Sequence, residues 1–85
     1  MKLPVIRSLT DYIEERDAAD VEKTIDVLEH VSQVRSLKEE EVDVIGELIS
    51  NLSGSLAVAK SIEQGESKTD ALNGFMKRVL GSIDK

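Results

Sequence analysis

The chain has 85 residues, a net charge of −6 and no cysteine. That length points to one domain with a thin core, burying only about 60–65% of its unfolded surface; without cysteine there are no disulfides, zinc–thiolate sites, iron–sulfur clusters or thiol nucleophiles. Residues 1–43 carry twelve acids against six bases and residues 44–85 five of each, so the acidity lies wholly in the first half, where it disfavours direct binding to nucleic acid or anionic membrane.

The opening residues, MKLPVIRSLTDY, hold too short an apolar run for a signal peptide. No stretch reaches the roughly 18 apolar residues that would span a bilayer. A cytoplasmic protein is the expectation. The first helix is expected over about 4–16, with Pro4 in the first turn and Ile6, Leu9 and Ile13 at helical spacing. The second is expected over 18–34. Asp17 serves as N-cap, Val21, Ile25, Leu28, Val31 and Val34 form the apolar face, and Glu22, Asp26 and Glu29 lie opposite.

The third helix is expected over 37–64. Ser36 and Glu39 have the spacing of a capping box, and Glu39, Glu40 and Glu41 sit where the helix dipole favours anions. Apolar residues recur from Val42 through Ile45, Leu48, Leu52, Leu56 and Ile62. That register passes straight through Ser53–Ser55, the one place where a bend or break is expected if there is one. Gly65 supplies the stop. The fourth helix is expected over 68–80, with Ser67 as cap, Ala71, Leu72, Phe75, Met76, Val79 and Leu80 as its buried face, and Gly81 as its end.

GSLAVAKS, residues 54–61, lies one residue from a phosphate-binding loop, with Ala59 where that loop needs its second glycine. A phosphate loop requires a strand before it and a helix after it. Here the preceding spacing is helical, so the match is read as accidental. The glycines fit another pattern: Gly46, Ser50, Ser53, Gly54, Ala57 and Ser61 step by three and four and form one stripe of small residues. Such a stripe lets a neighbouring helix approach closely, offsetting the roughly 1 kcal/mol that each mid-helix glycine costs. Gly46, Ser50, Gly54 and Ala57 are therefore read as an interaction surface, for a partner or a second copy.

Other constellations are weaker. Glu22, Asp26 and His30 recur every four residues and could edge a metal site. Carboxylate-bridged metal bundles, however, need Glu-x-x-His pairs from two helices, and His30 is the one histidine. No metal, cofactor or catalytic residue is expected. Lys68, Thr69, Asn73, Lys77 and Arg78 could suit a recognition helix, but Glu66, Asp70 and the acidic remainder argue against DNA.

MKLPVIRSLTDYIEE, SLKEEEVDVIGELISN and ALNGFMKRVLGSIDK together resemble a family of short, cysteine-free, all-helical bacterial proteins known only as a domain of unknown function. The resemblance covers nearly the whole chain. It implies a one-domain bacterial cytosolic protein, and no activity or site residue comes with it. The expected object is an all-α compact bundle of four helices, non-enzymatic, acting as a protein-interaction or accessory module and quite compatible with a homodimer. The alternatives are an acidic regulator or antagonist of a nucleic-acid-binding protein, a weak DNA binder through the last helix, and a metal or small-ligand protein.

Overall fold

The computed structural model describes residues 2–83, with side chains for residues 2–79. Its elements are α1 (Leu3–Glu15), α2 (Ala18–Val31), α3 (Glu39–Glu63) and α4 (Lys68–Ile83); the four pack against one another as an all-α bundle, with no strand among the described residues.

Local chemistry explains most of the boundaries. Pro4 lies in the first turn of α1, where its missing N–H would have no partner anyway. The Asp17 side chain caps α2 by accepting from the Ala19 N–H at 3.0 Å. Ser67 Oγ accepts from the Asp70 N–H at 3.1 Å and caps α4. At the end of α3, Gly65 takes φ +111°, the Gly65 N–H reaches the Ile62 carbonyl and the Glu66 N–H the Ser61 carbonyl. This pair of bonds is the Schellman termination that favours glycine.

Three boundaries differ from the sequence reading. α2 ends at Val31 rather than at 34, because the Gln33 and Val34 N–H groups bond carbonyls three residues back and close into turns. α3 begins at Glu39, and its capping bond runs from the Lys38 N–H to the Glu41 carboxylate at 2.9 Å, two residues beyond the Ser36–Glu39 pairing. Three successive glutamates put a carboxylate in reach for more than one register. The register with Lys38 as N-cap leaves Leu37 lining a hollow with Val44 and Ile45. Lys38 has no acceptor on its side chain, so only the return half of a capping box forms. α4 runs past Gly81 to Ile83; a glycine ends a helix only where it turns left-handed, and Gly65 is the one described residue that does. The Leu80 side chain lies outside the described residues.

α3 is continuous through Ser53–Ser55 and about 37 Å long at 1.5 Å per residue. It touches all three other helices, and so does α1; α2 and α4 do not touch each other. The arrangement is therefore a layer α2–α3–α4, with α1 alone in a second layer. α1 lies over the α3–α4 seam, where Ile6 joins Val58, Ala71, Leu72 and Phe75 in the core. The extents of 43 × 35 × 17 Å match two layers of helices at their usual spacing of about 8–10 Å.

Gly54 makes this core fit. A Cβ built there would stand 2.9 Å from Phe75 Cζ and 3.3 Å from Ile6 Cδ1. Buried polar groups at the same seam are satisfied within their own helices: Thr10 Oγ1 donates to the Ile6 carbonyl and Ser55 Oγ to that of Leu52, both at 2.7 Å. Asn51, which formally opens a glycosylation acceptor, is buried. Its Oδ1 accepts from the Lys2 N–H at 3.0 Å and anchors the start of α1 on the middle of α3.

Candidate functional site

Seven large hydrophobic side chains remain exposed among the described residues, as many hydrophobics as the core buries. Most of them gather on one face. α1 and α2 are joined by only Arg16 and Asp17, yet they touch each other much less than either touches α3. At the apex the Tyr12 hydroxyl donates to Asp20 at 3.1 Å, and the Arg16 guanidinium lies 5.4 Å above the Tyr12 ring. The phenol pKa is raised, first because the neutral hydroxyl donates to the Asp20 carboxylate, with desolvation and the charge of Asp20 adding to it and Arg16 opposing.

Beyond this clasp the two helices leave a groove over α3. Its closed end is lined by Leu9, Tyr12, Val21, Thr24 and Leu52. Farther along, Val5 of α1 meets Val44 and Leu48 of α3, and past the α1 N-terminus Val44 continues into the hollow with Leu37 and Ile45. Helix geometry places Val27 and Val31 on the Thr24 flank of α2, three and seven residues on. Val27 is 60% exposed, Val44 55% and Leu48 43%. Exposed Tyr12, Val44 and Leu48 thus line successive hollows along α1 and α3, and exposed Val27 and Val31 lie on the Thr24 flank of α2 by helix geometry.

The arc facing the groove and the acidic arc of α2 are distinct. At about 100° per residue, Glu22, Asp26 and Glu29 fall on the flank away from Val27 and Val31. His30 lies on the outer surface with them, and Glu22, Asp26 and His30 are all exposed. No group of three or more His, Asp or Glu that could hold a metal exists among the described residues.

The stripe of small residues is divided by the fold. Gly54 is buried within the chain, against Phe75 and Ile6, and is not open to a second copy. Gly46 has nothing within 4 Å of its Cβ position; Gly46 and Ala57 are exposed, and Ser50 is half-buried. Residues 54–61 are helix throughout, so their N–H groups are taken up by the helix and form no phosphate cradle. Lys68 pairs with Asp11 and, at 3.5 Å, with Glu14, which draws the start of α4 against α1; Lys77 and Arg78 are exposed farther along the helix.

A second hollow of about 600 Å³ lies where α1 ends and α2 begins. Ile13, Leu56, Ala59 and Ile62 line it, with Glu14, Glu22, Lys60 and Glu63 among its polar residues. It brings together neither a nucleophile and a base nor a metal-ligand set.

One expectation needs correction. α3 is long and apolar enough, by length and composition, to cross a membrane, with a window of mean hydropathy 1.3 that is 28% buried. Its apolar residues are not consecutive, but the residues between them are largely uncharged Gly, Ser, Asn and Ala, which keep the average high.

Sequence reading missed the groove because Leu9 on one helix and Val31 on another look like core positions at helical spacing, and Val27 falls outside the apolar face read for the second helix. The available signal was width: the apolar arc of α2 is broader than one neighbouring helix can cover.

No curated protein and no solved structure matches the chain. A family model described as a family of unknown function (DUF6952) matches residues 1–84, nearly the whole chain, and the protein belongs to that family.

Proposed function

We propose that this chain is a small non-enzymatic interaction module that works by docking an apolar helix in the groove between α1 and α2. The observation that carries this reading is the run of exposed Tyr12, Val44 and Leu48 along the hollows over α1 and α3, with exposed Val27 and Val31 on the Thr24 flank of α2. Monomeric proteins seldom leave a large contiguous apolar patch open, and such a patch marks a contact surface. Grooves of this kind accept an amphipathic helix through anchors spaced three and four residues apart. The non-enzymatic part rests on the largely apolar lining, whose one hydroxyl–carboxylate pair, Tyr12 with Asp20, is exposed and holds the phenol pKa above rather than below its usual value, the reverse of an activated nucleophile.

The exposed acidic flank of α2, with Glu22, Asp26 and Glu29, favours a second reading: a dock for a basic partner, including an antagonist of a nucleic-acid-binding protein. Salt separates the two, since contacts between exposed charges are screened and apolar docking is not. The test is co-purification of tagged protein from its native cells at low and moderate salt, for wild type and for Val31→Glu. Groove docking predicts capture, of a partner or of untagged copies, that survives salt and fails in the variant. Capture that falls away with salt and ignores the variant would transfer the function to the acidic flank.

A further inference from the structure

The groove calls for an occupant, and we infer that it is a second copy of this chain, seated by a two-fold axis with the α2 ridge of each protomer in the groove of the other. This deepens the docking reading above and rests on it.

Four observations converge. First, the chain exposes 6032 Å², whereas a compact monomer of 9.4 kDa is expected to expose roughly 5,000 Å². The excess of about 1,000 Å² is close to the roughly 800 Å² that each partner contributes to a stable standard-sized interface. Second, the radius of gyration is 13.8 Å, against about 12 Å for a compact domain of this length. The excess comes from flatness. The slab is 17 Å thick and 43 × 35 Å across, so a second slab seated on its face brings the pair closer to an isotropic body, no more than about 34 Å thick.

Third, the face is self-complementary. Exposed Val27 and Val31 lie by helix geometry on the flank of α2 that carries Thr24, and Thr24 lines the recess with Leu9, Tyr12 and Leu52. A protrusion beside a matching recess is the pattern an isologous interface needs, because a two-fold axis puts each ridge opposite the other recess. Fourth, charge permits it. A chain of net charge −6 resists self-association if its acids meet, but Glu22, Asp26 and Glu29 lie on the opposite flank of α2. The groove margin itself carries Lys2 with Asp20, Glu40, Glu41 and Glu47; all five are exposed, so they lie at a solvated rim where salt screens their repulsion, and the dimer should strengthen as salt rises.

The other prominent features carry less. The bare strip of α3 at Gly46 and Ala57 has only its small residues to recommend it, and the hollow near Glu63 belongs to the carboxylate-rich surface.

The test is sedimentation equilibrium of the purified full chain over a wide concentration range. The set is wild type, Val27→Glu/Val31→Glu and, as a control on the opposite flank, Glu22→Gln/Glu29→Gln. Both altered valines are already exposed, so the helical circular dichroism is expected to stay unchanged. The expected result is a wild-type dimer, weakened about 100-fold or more in the valine variant by two carboxylates buried without partners, and a control that dimerises at least as well as wild type. A wild type that stays monomeric to the highest concentration overturns the second copy as occupant, while salt-resistant, Val31-dependent capture of another protein would leave the docking reading standing. A dimer that survives both valine substitutions overturns the groove as its seat. Flotation of a monomeric wild type with phosphatidylcholine vesicles would overturn it in favour of a lipid surface.

Discussion

Replacing Gly54 and Gly46 by alanine, one at a time, tests the packing of the core against the helix that carries both. Each substitution gains the same helix propensity, about 1 kcal/mol. At Gly46 the new methyl meets nothing within 4 Å, so the gain stands and the protein should be stabilised by about 0.5–1 kcal/mol. At Gly54 the methyl would sit 2.9 and 3.2 Å from two atoms of the Phe75 ring and 3.3 Å from Ile6 Cδ1. Phe75 and Ile6 are themselves buried and cannot swing into solvent. Overpacking of this kind costs about 1–3 kcal/mol. The propensity gain cancels between the two variants, so their difference reads the overpacking alone. Gly54→Ala should melt below Gly46→Ala by roughly 4–8 °C for each kcal/mol, measured at one fixed protein concentration because any self-association moves the midpoint. Adding Phe75→Leu should cost less in the Gly54→Ala background than in wild type, with a coupling of about 1 kcal/mol. If Gly54→Ala melts as high as Gly46→Ala and the cycle shows no coupling, α4 does not pack on α3 through Gly54.

Further outcomes follow from single contacts. Asn51→Ala removes the acceptor for the Lys2 N–H and should destabilise the fold by about 1–3 kcal/mol in urea titration. Asp17→Ala and Ser67→Ala each delete an N-cap and should lower stability by about 1 kcal/mol; no change would place those helix starts elsewhere. The Tyr12 pKa lies above its usual 10.0 because the neutral hydroxyl donates to Asp20. Its contribution is therefore complete below pH 10.0 and is lost as pH rises through the higher folded value. A Tyr12→Phe melt series should lack that alkaline component, and Asp20→Ala should bring the phenol titration back toward 10.0. Thermal midpoints should not move across a panel of divalent metals, whereas a rise abolished by His30→Ala would restore Glu22, Asp26 and His30 as a metal edge.

Much of this architecture is local and is therefore legible in the sequence. Four helices, the cap at Asp17, the cap at Ser67 and the stop at Gly65 follow from apolar residues at three- and four-residue spacing and from backbone N–H and carbonyl groups that must find partners at helix ends. Where several local solutions are nearly equal, the reading slips. Successive glutamates at 39–41 leave the register of the α3 cap open until Leu37 lines its hollow, and Gly81 terminates nothing because no left-handed turn is imposed on it.

What periodicity cannot say is which part of a wide apolar or small-residue arc another helix will cover. Gly46 and Gly54 belong to one stripe by spacing, yet the direction in which α4 crosses α3 buries the second under Phe75 and leaves the first bare. Val21 and Val31 belong to one face of α2 by spacing, yet α1 touches α2 much less than either touches α3, and Val21 is buried while Val31 is not. Spacing along one helix determines which residues share a face. Crossing directions between helices decide which faces are filled, and they depend on contacts far apart in the chain that leave no periodic mark within a single segment.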